Sequence, residues 1–313
     1  MMQISPEIQL FIREHSSDDV RVLALQAKKY PDIDMPTVIT QIAGRKVAAE
    51  KIPSWWEIEK IWYPKHLSLE QCSSEITARY KARLLQGDSL TDLTGGFGID
   101  CSFLATGFKS ATYVERQEEL CEIAAHNFPV LNLNHINIKN EDGVTYLQAM
   151  SPVDCLFLDP ARRNEHGGKT VAISDCEPNV AELEELLLQK ANRVMIKLSP
   201  MLDLSLALKE LKQTQEVHIL SVNNECKELL ILLGQTSPTE ISIHCVNLST
   251  KGTQEEQHFV FTREQEQCSE CNYTNALENY LYEPNASLLK AGAFRSIASA
   301  FPVKKLHPNS HLY

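Results

Sequence analysis

Acidic side chains and glycines are spaced along the middle of the chain as if to hold one small charged ligand. Asp92-Leu93-Thr94-Gly95-Gly96-Phe97-Gly98 follows one short apolar run and Glu115 closes the next. Asp142-Gly143 follows a third run, and Asp159-Pro160-Ala161-Arg162-Arg163 closes a fourth. Asp92 suits an ammonium group, and Thr94 with Gly95, Gly96 and Gly98 allows a tight turn that brings a ligand close to the backbone. A helix expected from Ile99 would present its N-terminus to a carboxylate. Glu115 is placed to accept two ribose hydroxyls, while Asp142 can accept from an adenine amino group and Gly143 makes room for its ring. The ordered set is the pattern of an S-adenosyl-L-methionine site. NAD would use the same turn and acid, but Gly96-Phe97-Gly98-Ile99-Asp100-Cys101 lacks the third glycine of the dinucleotide fingerprint.

The fourth run carries the reactive end. Pro160 stiffens the chain so that Asp159, or the carbonyl beside it, can hold an acceptor nitrogen in line with a sulfonium methyl. Arg162 and Arg163 are read equally as phosphate contacts for a substrate and as a salt-bridged loop start. Lys197 ends an apolar strand, where it can pair with Asp159, touch substrate, or lie on the surface with its stem packed. Gln71, Ser73 and Ser74 are candidates to cover the cofactor, and His166 beside Gly167-Gly168 is a candidate base in a loop that more plausibly acts as a cover. Trp55, Trp56, Trp62 and Tyr63 have the types that stack on bases, yet aromatics near a helix pair more often build a core. Glu225, Lys227 and Glu228 are read first as a hairpin salt bridge. No metal is expected: Cys268-Ser269-Glu270-Cys271 has no second pair at ligand spacing, and His258 is a poor match.

The elements that must position these residues fall into three stretches. Residues 1–85 read as a small helical domain: Ser5-Pro6 opens a helix, Val20, Leu23, Ala24, Ala27 and Tyr30 recur at helical spacing, and Ser68-Leu69-Glu70-Gln71 matches a capping box for a helix running to Gln86. Residues 86–265 alternate short apolar runs with helical segments, which predicts βαβ units. Strands are expected at residues 89–93, 111–115, 136–140, 153–158, 193–198, 217–222 and 228–233, giving an α/β, seven-stranded, doubly wound Rossmann-like sheet. Its last two strands are joined only through Asn223-Asn224 and so pair antiparallel at the edge. Residues 241–248 and 258–262 read as a second hairpin around Lys251-Gly252. Residues 266–313 form a linker and a small C-terminal segment, with 263–275 a polar stretch that resembles a linker and 284–301 one helix.

The chain has 313 residues, is 43% hydrophobic and 23% charged, and carries a formal charge of −11. That balance argues against a uniformly basic nucleic-acid surface, although residues 283–313 hold 4 basic and 1 acidic side chains. No apolar run approaches the roughly 20 residues that span a bilayer. Nine cysteines without a scaffold spacing suit free thiols, and the protein is read as cytoplasmic.

The chain resembles the bacterial THUMP-like-domain class I methyltransferases. The likeness runs through Glu70-Gln71-Cys72-Ser73-Ser74-Glu75, Asp92 to Gly98, Asp159 to Arg163, Lys197-Leu198-Ser199-Pro200 and Asn224-Glu225-Cys226-Lys227-Glu228. It extends to Glu283-Pro284-Asn285 and Leu306-His307-Pro308-Asn309, which resemble that family's ferredoxin-like segment. The resemblance implies an S-adenosylmethionine-dependent enzyme that methylates RNA, either rRNA or tRNA, at a base nitrogen by direct displacement. It also leads us to expect a THUMP-like domain, absent or truncated at Tyr313. Amino-directed enzymes of this class often follow the acid with two prolines and an aromatic, whereas Ala161 and Arg162 fill the last two places, so that loop is not expected to stack on a base. Covalent C5 chemistry is disfavoured, because the fifth strand ends in Lys197-Leu198-Ser199-Pro200 without a nucleophilic cysteine and Cys155 reads as a core thiol. The alternatives are methylation of a small molecule or protein, and a non-catalytic RNA-binding or assembly factor that keeps the fold.

Overall fold

The computed structural model describes residues 4–162, 172–236, 238–250 and 256–313, and of residues 66, 67 and 162 the backbone alone. The chain divides into two compact units, Met1–Ala149 and Met150–Tyr313.

In the first unit, helices precede the sheet strands. Helix Pro6–Glu14 starts where expected, with the Ser5 hydroxyl accepting from the Ile8 amide at 3.3 Å. Val20–Leu25 is capped by Asp19 and Met35–Lys51 by Asp34, whose carboxylate accepts from the Thr37 amide and hydroxyl. The helix expected to run from Ser68 to Gln86 is instead two, His66–Gln71 and Glu75–Ala82. Lys65 occupies the first cap position, so no capping box forms at Ser68, and the chain is extended at Cys72 and Ser74. Ser73 turns inward there and hydrogen-bonds to Asp100 and Lys81.

Strands β1 (Ser89–Asp92), β2 (Ser110–Glu115) and β3 (Ile136–Asn140) pair in parallel, β1 on β2 and β2 on β3. Helices Ile99–Ala105, Glu118–Val130 and Gly143–Ala149 follow them in turn. The helical N-terminal segment shares its core with these elements: Ile52, Trp55, Ile61, Tyr63 and Leu69 pack with Phe97, Ile99 and Ile123.

The second unit holds β4 (Val153–Leu158), a two-residue pairing of β5 (Ala161–Arg162) with β6 (Cys176–Glu177), β7 (Ala191–Leu198), β8 (Thr214–Val222), β9 (Glu225–Gly234), β10 (Ser242–Leu248) and β11 (Gln257–Thr262). Its large strands lie in the order β4-β7-β9-β8-β10-β11. The β8–β9 connection is the expected antiparallel hairpin, turning on Asn223 and Asn224 with positive φ at both, the geometry of a tight two-residue turn. It does not sit at an edge. β9 is inserted between β7 and β8, and the second hairpin extends the same sheet because β10 pairs in parallel with β8.

Two C-terminal expectations change. Within residues 263–275, read as a polar linker, Arg263–Cys268 is a helix opened by a capping box between Thr262 and Gln265. The single helix expected over 284–301 is two, Ala286–Ala291 and Phe294–Ala300, because Gly292 takes φ 75° and ends the first. Glu266 then accepts from the amides of Phe294, Arg295 and Ser296, anchoring the start of the second. All nine cysteines are free. Among the described residues no helix is long and apolar enough to cross a membrane.

Candidate functional site

In the first unit the glycine turn leaves β1 at Asp92, which is 1% exposed. Asp92 Oδ1 accepts from the Thr94 amide at 2.9 Å and starts the turn. Gly95 donates to the Val114 carbonyl at 2.8 Å, and Gly98 to the Gly95 carbonyl at 2.9 Å. Glu115 closes β2 with its carboxylate against the turn: Oε2 accepts from the Gly96 amide at 2.9 Å and Oε1 from the Gln117 amide at 2.8 Å. Thr94, Gly95, Gly96 and Gly98 thus already have partners for their amides, so the turn is shaped by its own hydrogen bonds. A carboxylate has about four lone-pair positions, which leaves Glu115 acceptor capacity for ribose hydroxyls.

Two glycines are required by neighbours rather than by a ligand. A Cβ on Gly95 would lie 2.2 Å from the Tyr113 ring. That ring is fully buried, and its hydroxyl donates to the Gly96 carbonyl at 2.5 Å. Burial first, then the Glu115 charge, pushes the Tyr113 phenol well above its ordinary range, so it stays protonated and keeps donating. A Cβ on Gly143 would lie 2.2 Å from the Leu93 carbonyl oxygen, so this glycine lets the end of β3 pass against the turn. Gly98 has φ 87°, a left-handed conformation glycine adopts without strain. Gly95→Ala is expected to cost about 1–3 kcal/mol as an overpacked site, read as a shift of the urea midpoint at constant slope. An unchanged midpoint would show that the Tyr113 ring yields.

Asp142 caps the next helix: its exposed Oδ1 accepts from the Val144 and Thr145 amides, both at 3.0 Å. Behind the turn lies a group that residue spacing had not singled out. Lys81 is fully buried, its ammonium 2.8 Å from Asp100 and donating at 2.7 Å to the Ser73 hydroxyl, which donates to Asp100 at 2.6 Å. Asp100 lies in the first turn of the helix that starts after Gly98. The signal was present, since Lys81 falls on the face of Thr77, Ala78 and Leu85, where an apolar residue was due. Ser73 is therefore an internal hydrogen-bonding residue, whereas Gln71 is exposed. Cys101 is no nucleophile: burial, with Asp92 and Asp100 adding to it, pushes its thiol well above the ordinary range.

Of the aromatic group, Trp55 and Tyr63 are core, Trp62 is partly buried and Trp56 is exposed. Trp55 and Tyr63 are each 2% exposed, and the ring of Phe97, from the glycine turn, meets Trp55 edge-on at 5.1 Å between centroids. Trp62 stacks on His126 at 3.7 Å, and Trp56 lies under Arg45. Two buried amide side chains clamp this segment. Gln41 exchanges two hydrogen bonds with the Tyr63 backbone, and Asn127 does so with that of Trp62.

In the second unit Asp159 leaves β4 and pairs with Lys197 near the end of β7, the partnership raised for that lysine. Lys197 is 8% exposed, so its charge is compensated inside the fold. The backbone of Ala161 and Arg162 pairs with Glu177 and Cys176. The Arg162 side chain, Arg163 and His166 lie outside the described residues. Lys227 and Glu225 form a 2.6 Å ion pair beside the hairpin turn, and Cys155 is a buried strand residue.

A ferredoxin-like domain family matches residues 280–313. The chain is similar to a crystal structure from Porphyromonas gingivalis W83 whose name proposes a methyltransferase. The two are 34% identical with a TM-score of 0.85, over 98% of this chain and 77% of that one. More distant are an rRNA methylase from Streptococcus thermophilus, at 14% identity and TM-score 0.36 over 51% of this chain and 93% of that one, and an S-adenosylmethionine-dependent O-methyltransferase from Thermotoga maritima, at 16% and 0.38 over 54% and 68%. No curated protein matches.

Proposed function

The chain belongs to the family of the Porphyromonas gingivalis protein, and from that membership and its own glycine turn we propose an S-adenosylmethionine-dependent methyltransferase that acts on RNA. The observation that carries the reading is Glu115, at the end of β2 with its carboxylate on the Gly96 amide. A buried acid against a glycine turn is where an adenosyl ribose is received in sheets of this kind.

Bound there, S-adenosylmethionine supplies an electrophilic methyl group on sulfur. Glu115 accepts the ribose hydroxyls, Asp92 receives the ammonium group, and the turn from Thr94 to Gly98 lets the ligand approach the backbone. Asp142 keeps Oδ1 as a helix cap and offers its other oxygen to the adenine amino group, beside Gly143. Asp159, oriented by Lys197, holds an acceptor nitrogen of a base for direct in-line displacement, and Arg162 or Arg163 meets a phosphate. Positioning of this kind contributes on the order of 7–11 kcal/mol in well-oriented reactions. Support for RNA is the basic balance of residues 283–313 and the resemblance at Asp159 to Arg163. Free thiols throughout the chain suit a cytoplasmic setting.

Calorimetry with S-adenosylmethionine is the first test. Glu115→Gln keeps the shape but removes a charge-assisted acceptor worth roughly 1.5–3 kcal/mol, so affinity is expected to fall about 10- to 150-fold. Equal binding by the variant would remove the cofactor assignment. Labelled methyl groups offered to unmethylated total RNA, to protein and to small molecules then identify the acceptor; label reaching only the last two would exclude RNA.

A further inference from the structure

Apart from the strand ends, β8 and β10 carry a cluster with a different chemistry. We propose that Glu216, His218 and His244 form a binding site for a divalent transition-metal ion, with zinc the ion that this donor set suits best.

The strand register builds the cluster. Glu216 and His218 are two residues apart on β8 and therefore share a face, and His218 stands opposite His244 in the parallel pair. One ligand atom from each of the three lies within 4.8 Å of the others. Tetrahedral zinc with bonds of about 2.0–2.1 Å sets its ligand atoms roughly 3.3 Å apart. His218 Nε2 and Glu216 Oε2 already meet that spacing at 3.2 Å. The His244 ligand atom lies within 4.8 Å of both.

Two imidazoles and one carboxylate are a zinc-binding combination that leaves a coordination position open. The surrounding groups orient the ligands, as outer partners do at metal sites. Arg193 donates to Glu216 Oε1 at 2.7 Å, leaving Oε2 directed at His218. His244 Nδ1 lies 3.1 Å from His258 Nε2, and its Nε2 lies 3.1 Å from the Ser242 hydroxyl. Burial, then the neighbouring His218 and His258, brings His244 down to about 4. The His218 hydrogen bond, aided by Arg193, outweighs burial and brings Glu216 down to about 2. The competing arrangement is a metal-free row of histidines, since the His218 and His244 rings stack at 4.2 Å.

The full-length protein, first dialysed against a chelator, is titrated with zinc chloride, and its metal content is measured after gel filtration. One zinc per chain is expected, retained in the Cys268→Ser, Cys271→Ser double variant, which removes the exposed Cys268 and half-buried Cys271 thiols. His244→Gln is expected to weaken binding at least tenfold. Glu216→Gln, which keeps the contact with Arg193, should do likewise and serves if the histidine variant does not fold. Cobalt(II) in the same site should show no thiolate charge-transfer band. Less than half an equivalent of zinc, full affinity in both single variants, or loss of zinc with the two cysteines would each overturn the proposal.

Discussion

Lys81→Ala is expected to lower the unfolding free energy by about 3–5 kcal/mol, the range for a buried ion pair that loses one partner. The magnitude follows from burial. Lys81 has no exposed surface and Asp100 is 8% exposed, so the carboxylate left behind gains little from water. Ser73 would also lose its donor from the ammonium. Lys81→Met keeps most of the stem packing and isolates the charge effect, and Lys81→Met combined with Asp100→Asn removes both charges and should recover part of the loss. Urea denaturation reads all three. A loss below about 1 kcal/mol in Lys81→Ala, the level of a surface pair, would mean that the pair is hydrated. A large loss makes the group behind the glycine turn a determinant of the turn itself, because Asp100 sits in the helix that begins where the turn ends.

Asp159→Ala is expected to reduce methyl transfer by about 100-fold or more, the scale of a misplaced reactant, while S-adenosylmethionine binding stays at the wild-type level. The separation of the two readouts matters because Lys197, 8% exposed, loses its partner in this variant. A general loss of folding would lower both together. Lys197→Met leaves the carboxylate in place but without its anchor, so it should lower transfer by less and raise the KM for the acceptor. The double variant should resemble Asp159→Ala alone, since side chains that act as a pair are not additive. Single-turnover transfer with labelled cofactor measures each. Full activity in Asp159→Ala would move the acceptor site elsewhere.

Strand positions were legible from short apolar runs closed by acids. The edges of β1 to β4 match to within a residue, because each is a short run rich in apolar residues bounded by polar or charged ones. The helix pair at His66–Gln71 and Glu75–Ala82 was not legible as a pair, since periodicity passes through Cys72 and Ser74 without a glycine or proline. Ser74 and Glu75 are an N-cap and a first-turn acid for the second helix, while the Ser73 hydrogen bond to Asp100, 27 residues away, has no local signal. Glu115 and Asp92 were found by type and place, whereas the part they play in shaping the turn depends on which amides point at them. The histidine cluster on β8 and β10 escaped for a related reason: its members are brought together by strand register, not by ligand spacing along the chain.

Phe97 gives the glycine turn a mechanical consequence. Its backbone lies between Gly96 and Gly98, but its ring is 4% exposed and sits among Trp55, Tyr63 and Ile52 of the N-terminal segment. Whatever free energy a ligand contributes by fixing the turn is therefore shared with the packing of that segment, and the coupling is reciprocal. If the turn holds the proposed cofactor, the first 60 residues become part of its binding equilibrium. Loosening them raises the entropic cost of ordering the turn, and occupancy of the turn tightens them in return.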